Sequence, residues 1–364
     1  MATILRMHTN RWCSLALLLC LGSGAFAFPR PLPGTEDIPK MIAGSTLVCK
    51  GEVVEAPNPM FLPSPAGMPR ITATASVRLG RCFKGNANGS SIPVLFDGYV
   101  PGVEPSFFLR KRDYRLFFLK PQNGKYTVVD VWFGALPVSR KLGPASQNSD
   151  AMYLLELDLK AGLTDSNRER VLDSIRMLGN MKYLNSTSEL TQLLGHGDLL
   201  VKAYVWQALL RLKDYSVLPR VSEFFNSQPE PPRELLLPRD RLFEMQGELA
   251  LEIGAIRDPT TLPFLERFAL ARKSSILRMQ ALQALRAIGS PDSAPTFLKE
   301  LSDSNSDNAF SAMQGLLSLA GSFTAWAPTW EQFRKTPEFY AAKCRQWWQT
   351  EGRWRAANRS LAHF

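Results

Sequence analysis

Ala281-Leu282-Gln283-Ala284-Leu285-Arg286-Ala287-Ile288-Gly289-Ser290-Pro291 is the stretch that decides how most of this chain is read. Its apolar residues recur with a helical period, and it leads through Pro295 to Phe297-Leu298. The same register stands 32 residues earlier, where Leu249, Ile253 and Ile256 precede Asp258-Pro259, Pro263 and Leu265. A third copy begins at Val201, runs through Ala208, Leu209 and Leu212 to Asp214, and restarts after Pro219 with Val221 and Phe224. A fourth, degenerate copy spans Ala309 to Leu319. Each copy reads as two short helices, apolar on one face, with a turn between them. Such a unit cannot bury its stripe alone, so the copies must stack.

Ahead of these copies the periodicity changes from two to 3.6 near Asp150. A helix is expected from Ser166 to Leu178, capped by Thr164 or Asp165 and ended near Gly179. Over about residues 160 to 325 the pattern resembles HEAT-type helical repeats as found in bacterial repeat proteins. The resemblance implies an α-solenoid and leaves the ligand unnamed. Residues 326–364 follow, with Trp330, Phe333, Phe339, Tyr340, Trp347, Trp348 and Trp354. Phe339-Tyr340 and Trp347-Trp348 lie about two turns apart on an expected helix. This resembles the aromatic terminal helix that closes some bacterial HEAT arrays, where a bulky helix covers the exposed apolar end. An aromatic contact surface for sugar or lipid is the second reading.

The first half reads differently. Thr46 to Val54, Ala73 to Phe83, Ile92 to Phe96, Tyr114 to Leu119 and Tyr126 to Phe133 are short runs rich in β-branched and aromatic residues, separated by Pro, Gly and Asn. Asn123-Gly124 between the last two signals a tight hairpin. Five strands without an intervening helix predict a small antiparallel barrel over residues 28–145, with residues 28 to about 40 extended and Pro57 to Pro69 a long loop. The fold class is therefore α+β multidomain: a barrel, helical repeats over 150–325, and a helical cap over 326–364. Leu47-Val48-Cys49-Lys50-Gly51-Glu52-Val53-Val54, Val77-Arg78-Leu79-Gly80-Arg81-Cys82-Phe83-Lys84-Gly85 and Tyr114-Arg115-Leu116-Phe117-Phe118-Leu119 carry a loose resemblance to netrin-like, OB-type barrels of exported proteins. In the inhibitor branch of that group an N-terminal cysteine coordinates a protease metal, and this chain lacks it after the expected cleavage.

That cleavage is read from residues 1–27. Arg6, His8 and Arg11 form a positive lead, Trp12 to Leu21 an apolar core, and Ala25-Phe26-Ala27 a small-x-small pattern before Phe28. The core is too short to span a bilayer and is followed by Gly22-Ser23-Gly24. Cleavage between Ala27 and Phe28 predicts an exported chain, with no transmembrane segment once the signal is removed. It lowers the formal net charge from +10 to +8 and leaves Cys49, Cys82 and Cys344. An oxidising compartment permits one disulfide. Cys49 and Cys82, in one β module, are the candidate pair, and two small buried residues are the other reading.

The basic excess sits at the two ends, with 15 basic and 9 acidic residues over 28–150 and 7 and 3 over 326–364. This favours anionic contacts such as envelope polymers or lipid headgroups. Arg110-Lys111-Arg112 with Arg115 reads as a solvated turn into a strand, and with no helix or aromatic platform beside it argues against nucleic acid. The chemistry is sparse. His196 stands in Gly195-His196-Gly197-Asp198, read as a loop, and His363 is the penultimate residue. Histidine-rich metal sites and a nucleophile–histidine–acid triad are thereby disfavoured. No phosphate-loop, dinucleotide, Gly-x-Ser-x-Gly or zinc fingerprint occurs. Lys84-Gly85-Asn86-Ala87-Asn88-Gly89-Ser90-Ser91 reads as a strand connection rather than an anion cradle.

Glu244, Glu248 and Glu252 share one expected helix face, read as a solvated acidic ridge. Asn88, Asn185 and Asn358 begin N-glycosylation patterns. No catalytic residue, metal ligand or cofactor is assigned. The expected function is an exported, non-enzymatic binding or scaffold protein whose partner is a protein or an anionic envelope polymer. The alternatives are a hydrolase using Glu244 and Glu248, and an extracellular protease inhibitor.

Overall fold

The computed structural model describes residues 35–56, 60–63, 69–87, 89–99, 109–182, 184–227, 240–271, 274–321 and 325–361. The expected signal, its Ala27/Phe28 junction, and Asn88 lie outside these. The chain forms two compact units. One is β-rich and runs from Gly44 to Leu136; the other joins Glu36–Ala43 to residues 137–364.

The β unit contains β1 (Leu47–Glu55), β2 (Met60–Pro63), β3 (Pro69–Lys84), β4 (Ser91–Tyr99), β5 (Tyr114–Gln122), β6 (Lys125–Val128) and β7 (Ala135–Pro137). The order β1-β3-β4-β6-β5, with β5 pairing back onto β1, closes a five-stranded barrel. Closure removes free strand edges. Alternate residues Leu47, Cys49, Phe117, Leu119, Val94 and Phe96 fill the core. Asn123 and Gly124 both take positive φ, 50° and 74°, in the hairpin between β5 and β6.

Several expectations are corrected. The barrel is not wholly antiparallel, because β4 and β6 run parallel. Met60–Pro63, inside the expected loop, is a strand paired with the start of β3, and Pro63 stands opposite Pro69. At the end of an edge pair the missing N–H costs no ladder bond. The strand expected from Tyr126 to Phe133 is β6, which stops at Val128. There the Asp130 carboxylate accepts the Trp132 and Phe133 N–H groups at 2.8 Å each, turning the chain. Residues near 40 are not extended: Ile38–Gly44 is a helix, α1, with Pro39 in its first turn, where a proline is tolerated.

The helical unit continues with α2 (Ala151–Gly162), α3 (Arg168–Asn180), α4 (Thr187–Gln192), α5 (Leu199–Arg211), α6 (Leu218–Ser227), α7 (Arg241–Ile256), α8 (Leu262–Ala271), α9 (Ser275–Ile288), α10 (Ala294–Glu300), α11 (Ser306–Leu319), α12 (Trp330–Lys335), α13 (Pro337–Trp347) and α14 (Arg353–Leu361). The helices α3, α5, α7, α9 and α11 pack side by side as one row, and α4, α8 and α10 lie against the row. The cap of α3 is Asn167, not Thr164 or Asp165; its side chain accepts the Glu169 N–H. Asp165 instead accepts the Asn167 N–H and the Ser139 hydroxyl.

The turns that follow α5, α7 and α9 repeat one device. Asp214, Asp258 and Ser290 accept the N–H two residues on, at Ser216, Thr260 and Asp292. Pro219, Pro263 and Pro295 then enter the next helix. Row helices approach closely where a small residue faces another. Gly179 lies against Ala208 and Gly254 against Ala284, where an added Cβ would sit 2.7 and 2.5 Å from the alanine Cα.

Candidate interaction surface

The row helices carry a polar face that ties them edge to edge. Arg211 of α5 donates to Asn180 Oδ1 of α3 at 2.7 Å and to Glu252 Oε1 of α7 at 2.6 Å. One turn away, Gln207 donates to Glu248 Oε2 at 2.9 Å. Near the start of α7, Arg241 contacts both Glu169 oxygens at 2.7 and 2.6 Å and donates to the Tyr204 hydroxyl at 2.9 Å. Its guanidinium also lies 5.5 Å from the Tyr204 ring centre. Arg168 pairs with Asp198, the N-cap of α5. Arg176 of α3 meets the buried Glu36 at 2.7 Å, which fastens the segment before α1 to the repeats.

The three sequence-predicted carboxylates thus fall on one face of α7, but two of them are joined to α5. Burial pushes the Glu248 carboxyl above its ordinary range, and neighbouring Glu244 and Glu252 add to the rise against the opposing pull of Gln207 and Arg211. A carboxylate already held by an amide or a guanidinium is committed to register, which suits a packing role better than proton transfer. Glu244 is the exposed member. Sequence reasoning missed Arg211, Gln207, Arg241 and Tyr204. One signal was present: Gln207–Glu248 and Arg211–Glu252 share the same offset of 41 residues.

The other candidates disperse. Cys49 and Cys82 are register partners on β1 and β3 and are joined as a disulfide. Cys344 is a buried free thiol, pushed up to about 12 by burial, so it is not a nucleophile at neutral pH. His196 is exposed, and its Nδ1 accepts the Asp198 N–H at 3.0 Å, a loop contact. Arg110 and Lys111 are exposed in the turn before β5, while Arg115 pairs with Asp113 at 2.9 Å. In the barrel unit an open groove of about 640 Å³ is lined by Glu55, Thr74, Ser76, Ser91 and Lys111. Among the described residues no group of three His, Cys, Asp or Glu side chains is placed to hold a metal ion. No described helix is long and apolar enough to cross a membrane.

The aromatic tail divides. Phe310 of α11 packs on Trp330 and Phe333 at 5.3 Å each, and Trp347 and Trp348 are buried, closing the end of the row. Phe339 and Trp354 remain 58% and 69% exposed. No curated protein matches the chain. Residues 232–316, from just before α7 into α11, match the family model described as HEAT repeats, so the helical unit, which follows the small β-barrel in the chain, contains HEAT-like repeats.

Proposed function

We propose that this protein is an exported, non-enzymatic scaffold that uses its helical-repeat surface to hold a protein partner. The observation that carries the reading is the repeat row itself. Its helices are locked in register by side-chain bridges, and Glu244 and the 48% exposed Ile276 face outward on α7 and α9, which are neighbours in the row. HEAT-like repeats stack into extended surfaces of this kind, and such surfaces serve repeat proteins as binding faces. Export is supported by the three-part N-terminal signal and by a disulfide that persists in an oxidising compartment. The non-enzymatic reading is supported by the commitment of Glu248 and Glu252 to Gln207 and Arg211. An anionic envelope polymer is the second class of partner, suggested by the net charge of +8 after signal removal.

The test is crosslinking of the mature chain in its native extract, compared with a Glu244→Lys/Ile276→Asp variant. The expected result is a discrete crosslinked protein that the variant loses while its helical signal stays unchanged. A monomer without partner that turns over a substrate would sink the proposal.

A further inference from the structure

The last helical run keeps two aromatic side chains in water. α13, a π-helical turn over Trp348–Gly352 and α14 follow without a break, so residues 337–361 form one helical run. One stripe is buried: Ala341, Cys344, Trp347, Trp348, Gly352 and Ala356. Gly352 is required there, since a Cβ would lie 2.8 Å from the Trp348 ring. Phe339 and Trp354 lie off this stripe and are the two most exposed large apolar side chains described. They are 15 positions apart, close to four helical turns. Whether or not the π turn absorbs one residue, the two rings project within about 60° of each other, roughly 22 Å apart along the axis.

Basic residues stand beside Trp354 in the chain and beside Phe339 in space. Arg353 and Arg355 are exposed on either side of Trp354, and the Lys343 ammonium lies 5.8 Å from the Phe339 ring centre and 5.6 Å from that of Trp326. Arg334 and Lys335 are exposed on α12. Of the three acids in this region, Glu351 pairs with Arg355 at 3.1 Å, so those two charges offset each other and Arg353, Lys343, Arg334 and Lys335 make up the basic excess.

We infer that this run is a membrane-surface contact: Phe339 and Trp354 enter the headgroup layer of an anionic bilayer, and Arg353 and Lys343 face its phosphates. A surface helix with aromatics on one side and arginines beside them is the pattern that lies in a bilayer interface. Tryptophan is favoured at headgroup level, with its ring apolar and its N–H wet. Two separate rings among cations do not make the continuous apolar core that a stable protein interface buries, and their charge complements a lipid phosphate surface.

The experiment is cosedimentation of the full chain with phosphatidylglycerol-rich vesicles and with phosphatidylcholine vesicles, at low and high salt. The chain should bind the anionic vesicles and release at high salt. Phe339→Ser/Trp354→Ser should lower the partition about tenfold or more, with circular dichroism unchanged because both sites are exposed, and Lys343→Gln/Arg353→Gln should weaken it about as much. Equal binding to both vesicle types, or unchanged binding by either double variant, would overturn the inference. So would velocity sedimentation showing that Trp354→Ser dissolves a dimer, which would give the surface to a second copy.

Discussion

Glu300 is the carboxylate whose environment alters its chemistry most visibly. It ends α10 beside Asp303, with Arg278 of α9 reaching Asp303 at 2.8 Å and Glu300 at 3.9 Å. Burial raises the Glu300 carboxyl to about 7, and its hydrogen bond with Asp303 and that group's charge add to the rise, against the pull of Arg278 and Lys299. An acid whose folded value lies above its unfolded one contributes stability that is complete below pH 4.5 and is lost as pH rises toward 7. The unfolding free energy should therefore fall between these limits by about 1–2 kcal/mol, discounted for solvent screening, and Glu300→Gln should flatten that component in urea titrations at several pH values. Gly254 makes a steric prediction. Its missing Cβ leaves room for Ala284, so Gly254→Val should cost about 1–3 kcal/mol by denaturant unfolding.

Among the elements, α5 does most to connect the row. Arg211 bridges Asn180 of α3 and Glu252 of α7, and it is only 13% exposed. Replacing it by methionine keeps the aliphatic stem but leaves Glu252 without its guanidinium, so a loss of about 1–3 kcal/mol is expected. Thermal melts should show it, and a double variant with Glu252→Gln should recover part of it, since the orphaned charge is gone. The α7 N-cap offers an independent check. Asp240 accepts the Leu242 and Phe243 N–H groups, and Asp240→Ala should cost about 1 kcal/mol, read as faster amide exchange over the first turn of α7. The cap pattern of these helices is local chemistry, as Asn167 shows: the cap moved two or three residues from its expected place because Asp165 was drawn to Ser139, a partner 26 residues earlier.

For the molecule as a whole, the Cys49–Cys82 bond closes 33 residues within the barrel unit. Chain-entropy reasoning gives it about 3–4 kcal/mol. Reduction should accelerate amide exchange in β1 and β3 while α3 to α11 keep their protection; loss in the repeats instead would show that the two units do not unfold separately. Much of this architecture was legible in the chain. The 32-residue register and its turn prolines announced stacked helix pairs, and Asn123-Gly124 announced the hairpin, because helical period and turn chemistry are local properties. The parallel pairing of β4 with β6 was not legible, since nothing in either segment states which distant strand will lie beside it. Nor was the role of α7's carboxylates: spacing put Glu248 and Glu252 on one face, but only packing brought Gln207 and Arg211 to them from 41 residues away. The tail shows the same division. Sequence determined that the terminal residues are rich in aromatics and cations, whereas tertiary packing decided that Trp347 and Trp348 close the row while Phe339 and Trp354 stay in water. The phase of one helical run against its neighbours selects which side chains lose solvent, and that phase is set by contacts distant in the chain.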